Sequence, residues 1–259
     1  MKWPEQLILI RHDVSTYNTL KERKMRSNLY RLFLKEFEKD PISLMTRTLA
    51  TSIQDKFALG ISDAETPLED AEAKRAEEVG LALRKKFLGK PPHVIFVSPY
   101  RRAKHTLDGL KRGWPELNHL RVIEDERIRE QEHGLALLYN DWRVFHTLHP
   151  EQRQLLKLEG AYWYRYPQGE SVPDVRERNR SWMNSITRDF VGKRVLVMTH
   201  HLNILAIRAN LERWSAAKFL ATDQQEKPIN CGVTIYRGYP DHGQDGHLHL
   251  CGYNQRLYK

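Results

Sequence analysis

Three short apolar runs punctuate the chain, and each stops abruptly at polar residues. Leu7-Ile8-Leu9-Ile10 precedes Arg11-His12, Val94-Ile95-Phe96-Val97 precedes Ser98-Pro99, and Val195-Leu196-Val197-Met198 precedes Thr199-His200. Unbroken runs of four, rich in Val and Ile, predict central strands buried on both faces. Between them the apolar spacing is helical. Positions 69–88 carry Val79, Leu83 and Phe87, with Gly89 as a C-terminal stop. Positions 174–190 and 202–211 predict two further helices, and 232–236 and 247–253 two further strands, the last an edge strand. Strands alternating with helices predict an α/β fold, a three-layer sandwich whose mostly parallel central sheet is flanked by helices.

The stretch 19–62 departs from this alternation. Leu29, Leu32, Phe33 and Phe37 fall near helical spacing, Asp40-Pro41 breaks the run, and a second helical pattern goes from Leu44 through Leu49 and Ile53 to Phe57, ended by Gly60. This predicts a helical insertion after the first strand, within a single domain spanning 1–259. It opens on Lys21, Arg23, Lys24, Arg26 and Arg31 against Glu22 alone. Because the insertion follows His12 closely in the chain, these charges are expected near a pocket rim, where they would attract a multiply anionic substrate; the other reading is a solvated basic turn that only packs.

Composition narrows the class. Of 259 residues, 40% are hydrophobic and 10% aromatic, enough for a sizeable core and against disorder. No run of 18 apolar residues occurs, and the N-terminal apolar run is four residues long before Arg11, so neither a membrane span nor a signal peptide is expected. Two cysteines, Cys231 and Cys251, exclude a disulfide framework and fit a reducing cytoplasm. With His247 and His249 they could form a metal site, but a pair of small residues near a C-terminal strand is the preferred reading. The net charge of +9 suggests an anionic partner. No Gly-rich phosphate loop and no nucleic-acid motif is present, and the adjacent His200 and His201 point in different directions, which disfavours a metal-ligand pair. No metal or other cofactor is expected. Homo-oligomerisation stays open.

Ligands of open α/β sheets bind beyond the carboxyl ends of the strands. Here those ends carry Arg11-His12, Arg101-Arg102 and His200-His201. Each residue alone has an ordinary structural explanation; three strand ends of the same character together predict a site. Converging arginines clamp a phosphoryl group, and a histidine among them can attack phosphorus. The neighbouring cations lower its pKa and keep the imidazole nucleophilic. The leaving oxygen needs a proton, for which Glu130 and Glu132 are candidates.

These residues stand in motifs that resemble a known family. Arg11-His12-Asp13-Val-Ser15-Thr-Tyr-Asn18 resembles the RHGxSxxN signature of the histidine phosphatase superfamily, the phosphoglycerate mutase-like proteins. In order along the chain, Asp63-Ala-Glu-Thr-Pro67-Leu68 resembles DxPLT, and Ser98-Pro-Tyr-Arg-Arg102-Ala103-Lys-His-Thr106 resembles SPLxRAxxT. Ile128-Arg-Glu130-Gln-Glu-His-Gly134 resembles LxExxxG, Tyr166-Pro-Gln-Gly169-Glu170-Ser171 resembles PxGES, Val197-Met-Thr-His200 the second-histidine segment, and Ile229-Asn230-Cys-Gly-Val-Thr234 the closing NxSVT strand. The resemblance implies a phosphoglycerate mutase-like fold, His12 as phosphohistidine nucleophile, Arg11, Arg102 and His200 as phosphoryl ligands, Asn18 and Ser15 as accessory binding residues, and Glu130 as proton donor. It implies a metal-independent phosphatase, and the insertion is longer than the family's usual connection.

Two positions depart from the pattern: Asp13 and His201 stand where the family has glycine. A carboxylate beside a phosphate pocket is unfavourable unless it points away or pairs with an arginine. The segment Gly160-Ala-Tyr162-Trp-Tyr-Arg165-Tyr-Pro-Gln-Gly-Glu-Ser171 looks like a block of a phosphatase branch, so a phosphomonoesterase acting on a small phosphorylated or polyanionic substrate is expected. A phosphoglycerate-type phosphomutase and a catalytically weakened phosphate-binding regulatory module are the alternatives. Tyr162 and Arg165 are candidate substrate contacts at the pocket mouth, or part of an aromatic cluster.

Overall fold

The computed structural model describes residues 3–239 and 248–259. In chain order the elements are β1 (Gln6–Arg11), α1 (Thr16–Arg26), α2 (Asn28–Lys39), α3 (Leu44–Phe57), α4 (Lys74–Lys86), β2 (Val94–Val97), α5 (Arg101–Gly113) and β3 (Val122–Glu124). There follow α6 (Trp142–Leu148), α7 (Pro150–Glu159), α8 (Val172–Asp189), β4 (Arg194–Thr199), α9 (His201–Leu211), α10 (Ala216–Gln225), β5 (Val233–Gly238) and β6 (Leu248–Gln255). The chain divides into two compact units.

The first unit (1–15, 67–130 and 174–259) contains the sheet, in the order β3-β2-β4-β1-β5-β6. β1, β2, β3 and β4 pair in parallel; β5 runs antiparallel to β1, and β6 to β5. The three apolar runs are neighbours at its centre. Their alternate residues serve two cores: Ile8, Ile10, Ile95, Val97, Leu196 and Met198 face one, and Leu7, Leu9, Val94, Phe96, Val195 and Val197 face the other. This is why each run is apolar without alternation. The first core is covered by α4 and α5, through Ala76, Val79, Leu83, Leu107, Leu110 and Trp114; the second by α8 and α9, through Trp182, Ile186, Ile204 and Ile207. Close approach of α4 and α5 depends on Gly113, where a Cβ would lie 2.0 Å from the Glu77 carbonyl oxygen. The helix expected over 69–88 begins later, at Lys74. Its C-terminal stop is as expected: Gly89, at φ 73°, donates its N–H to the Arg84 carbonyl. The exposed edge strand β3 was not legible, being three residues long. The last strand is described from Leu248; His247 lies outside the described residues.

The second unit (16–66 and 131–173) joins the insertion to a distant segment of the chain. The two helical patterns appear as α2 and α3, preceded by α1. Leu20, Tyr30, Phe33, Leu49, Ala50, Ile53, Phe57 and Val144 form its core. The basic stretch here is not uniformly solvated. Lys24 is buried, its Nζ 3.0 Å from Asp141 Oδ2 and bonded to the Asn140 carbonyl, and Tyr30 donates its hydroxyl to the same carboxylate. Asp141 also caps α6, accepting the Arg143 N–H at 2.9 Å. Lys24 therefore belongs to the packing of this unit rather than to a rim of free cations.

Candidate active site

The carboxyl ends of the three central strands converge in the first unit. The main chain ties them together: His12 donates its N–H to Thr199 O at 2.9 Å, and Ser98 its N–H to Met198 O at 3.0 Å. His12 is buried just beyond β1. Its Nδ1 lies 2.6 Å from the Asp13 carbonyl oxygen, and its Nε2 lies 3.3 Å from Nε of Arg102, the second residue of α5. A carbonyl only accepts and a guanidinium only donates, so Nδ1 carries the proton and Nε2 the lone pair. Burial, then Arg102 and Arg11, hold the His12 pKa well below its ordinary value. The ring is neutral, with its nucleophilic nitrogen turned toward a cation.

His200, the N-cap of α9, has its ring centroid 5.0 Å from that of His12. Its Nε2 lies 2.7 Å from Ser98 Oγ, and burial followed by Arg102 lowers its pKa strongly. The Arg102 guanidinium lies 4.9 Å over the Tyr100 ring. Arg11 donates from Nη1 to the Pro228 carbonyl at 2.7 Å. His200 Nδ1 and Arg11 Nε are both buried with no hydrogen-bond partner among the described residues. Such atoms are costly unless a ligand satisfies them.

The two candidate acids have different surroundings. Glu130 Oε1 accepts the Leu202 N–H at 3.2 Å, which places the carboxylate at the N-terminus of α9, next to His200 and His201. Its carbonyl oxygen accepts from Arg178 Nη2 at 2.9 Å. Glu132 belongs to the second unit, where its main chain pairs with Glu170.

The two residues that replace glycine are both paired. Asp13 Oδ1 lies 2.9 Å from Arg75 Nη1 and accepts the Val14 N–H at 2.7 Å, so the carboxylate pairs with an arginine as the electrostatic argument requires. His201 Nε2 lies 2.7 Å from Asp223 Oδ1 on α10.

Of the remaining expected site residues, Ser15 is buried in the first unit, its backbone bridged to Leu68. Asn18, Tyr162 and Arg165 belong to the second unit, Asn18 in α1, Tyr162 buried against Trp163, and Arg165 exposed. Residues that sequence reasoning missed are Ser98, Tyr100, Arg178 and Arg75. Ser98 was visible as a motif letter, but its bond to His200 was not. Nothing local marks Arg178 or Arg75. Cys231 is buried and Cys251 exposed, and no group of three or more His, Cys, Asp or Glu is placed to hold a metal among the described residues.

Comparison with known proteins bears on this arrangement. The chain is 27% identical over 172 residues to phosphoglycerate mutase-like protein AT74 of Arabidopsis thaliana, covering 61% of this chain and 52% of that protein. It is 29% identical over 175 residues to AT74H of the same plant, covering 61% and 60%. It thus spans about half to three fifths of the length of these relatives. The fold is similar to a mycobacterial glucosyl-3-phosphoglycerate phosphatase solved with inorganic phosphate, at TM-score 0.61 and 19% identity over 98% of both chains. It is also similar to Bacillus stearothermophilus YhfR, at TM-score 0.63 and 19% identity over 97% of this chain and 98% of that one. Residues 59–246 match the histidine phosphatase superfamily (branch 1), and the chain belongs to that family.

Proposed function

We propose that the protein is a phosphomonoesterase working through a phosphohistidine on His12. The observation that carries this is the state of His12: buried, protonated on Nδ1 by the demand of the Asp13 carbonyl, and presenting the Nε2 lone pair beside Arg102. The partnerless Arg11 Nε and His200 Nδ1 support it, as donors for phosphoryl oxygens. Nε2 attacks phosphorus, the N–P bond forms as the ester P–O bond breaks, and the leaving oxygen takes a proton from Glu130. Glu130, now a carboxylate, accepts a proton from water as the water oxygen attacks phosphorus and the N–P bond breaks, releasing phosphate and restoring Nε2. Arg11 and Arg102 supply the positive charge that a metal ion supplies in metal-dependent phosphatases, so turnover is expected to survive EDTA.

The substrate class is a small phosphorylated or polyanionic metabolite, in keeping with the net charge of +9. No helix among the described residues is long and apolar enough to cross a membrane. Free thiols at Cys231 and Cys251 support placement in a reducing, cytoplasmic compartment. A second reading, phosphomutase, is favoured by the mutase-like relatives. A panel of phosphorylated metabolites separates the two. A phosphatase releases inorganic phosphate and does not interconvert phosphoglycerates; interconversion without phosphate release makes the chain a mutase, and neither activity makes it a binding module.

A further inference from the structure

Asp13 places a buried negative charge one residue from the nucleophile, and its main-chain carbonyl is the group that orients the His12 ring. Whatever holds the Asp13 side chain therefore acts on His12. The Arg75 guanidinium does so at 2.9 Å, and lies with its central carbon 4.9 Å over the ring of Tyr258. Tyr258 donates its hydroxyl to the Asn230 carbonyl at 3.0 Å, and Asn230 Nδ2 donates to the His12 carbonyl at 3.0 Å. The contacts close a ring: His12 backbone, Asn230, Tyr258, Arg75, Asp13 side chain, and back to His12 Nδ1 through the Asp13 carbonyl. The Asp13 N–H, bonded to Thr106 Oγ1 at 2.9 Å, pins the preceding His12–Asp13 peptide from the α5 side.

Resting on the phosphatase reading, we propose that Arg75, stacked on Tyr258, is a positioning residue that neutralises Asp13 and thereby holds the carbonyl that orients His12. Removing Arg75 leaves a buried carboxylate uncompensated beside the nucleophile. That charge would seek another cation, tilt the Asp13 peptide away from Nδ1, and favour the imidazolium over the neutral ring. Loss of Arg75 is therefore worse when Asp13 keeps its charge than when it does not. A simple packing role would show no such dependence.

The test compares Arg75→Ala, Asp13→Asn and the double variant, with Arg75→Lys as the conservative replacement. With p-nitrophenyl phosphate, Arg75→Ala is expected to lower kcat about 10- to 100-fold with KM changed less than about threefold. The double variant should recover to within about fivefold of wild type, and Arg75→Lys should fall between them. The second readout needs no turnover: NMR titration of ring-labelled histidine. His12 faces Arg102, Arg11, His200 and His201 as well as the Asp13 peptide, and its pKa should rise in Arg75→Ala and fall back in the double variant. Equal impairment of the single and double variants, or an unchanged His12 titration, overturns the proposal. If Arg75→Ala does not fold, folding of the double variant supports the charge argument, and failure of both overturns it. A wild-type protein inert toward every phosphate ester refutes the phosphatase reading alone, since the titration still reports on the coupling.

Discussion

Replacing Arg102 separates two effects that the proposed mechanism assigns to one guanidinium. Arg102 is buried, with its Nε 3.3 Å from His12 Nε2, and it contributes to lowering the pKa of both His12 and His200. Two charges about 4 Å apart at an effective dielectric near 20 interact by about 4 kcal/mol, which sets the ceiling for what this residue supplies to phosphoryl charge. Loss of one pre-set donor in comparable sites costs about 3–4 kcal/mol in the transition state. Arg102→Ala should thus lower kcat/KM for p-nitrophenyl phosphate by about 10²- to 10³-fold. Arg102→Lys, which keeps the charge and loses the fork, should cost about tenfold. The pH profile should move too. Both histidines must be neutral in the free enzyme, and their depressed pKa values put the acidic limb well below about pH 6.5. Without Arg102 the limb should shift upward but stay below that value, because burial, the larger cause, remains. A loss under tenfold in Arg102→Ala, or a limb that does not move, would refute the assignment of Arg102 as both phosphoryl ligand and pKa-lowering neighbour.

Three further outcomes follow from particular contacts. Glu130→Gln should slow alkyl phosphates far more than aryl phosphates, whose leaving oxygen barely needs a proton, in a Brønsted series of leaving groups; the same signature in Glu132→Gln instead would exchange their roles. Gly113→Ala forces a Cβ to within 2.0 Å of the Glu77 carbonyl oxygen and should cost about 3 kcal/mol, a fall in Tm of roughly 6–12 °C by calorimetry; an unchanged Tm would mean that the α4–α5 contact is looser than described. Burial holds His146 at a pKa of about 4, so the unfolded chain takes up a proton below about pH 6.5 that the folded one refuses. The stability this gives is present above that pH and is lost as pH falls toward 4. His146→Leu should then lose less stability than wild type between neutral pH and about 4.5, by on the order of 1–2 kcal/mol in urea titrations; parallel losses would place the acid sensitivity elsewhere.

What the sequence made legible follows from how local its signals are. The central strands were readable because residues buried on both faces leave unbroken apolar runs, and their ends showed where His12, Arg102 and His200 come together. Helices α2 and α3 were readable from spacing. By contrast, the grouping of the insertion with 131–173 depends on contacts such as Lys24 with Asp141, more than a hundred residues apart, and no periodicity encodes them. The same holds for Arg75. Asp13 had either to point away from the pocket or to pair with an arginine, and only the fold showed that it pairs, and with which of the many arginines. Between Glu130 and Glu132, spacing alone gave no choice and the resemblance to LxExxxG selected Glu130; that Glu130 meets the N-terminus of α9 is a contact no local pattern encodes.

The claim at the centre of this account is a covalent bond between phosphorus and His12 Nε2. Rapid alkaline quench of the enzyme with a good aryl phosphate, followed by peptide mass spectrometry under alkaline conditions, tests it directly. The account predicts an acid-labile, alkali-stable phosphoryl group on His12 that forms within one turnover, decays as phosphate appears, and is absent from His12→Ala. Turnover of the wild type with no phosphorylated residue trapped, or with the phosphoryl group on any residue other than His12, would contradict it.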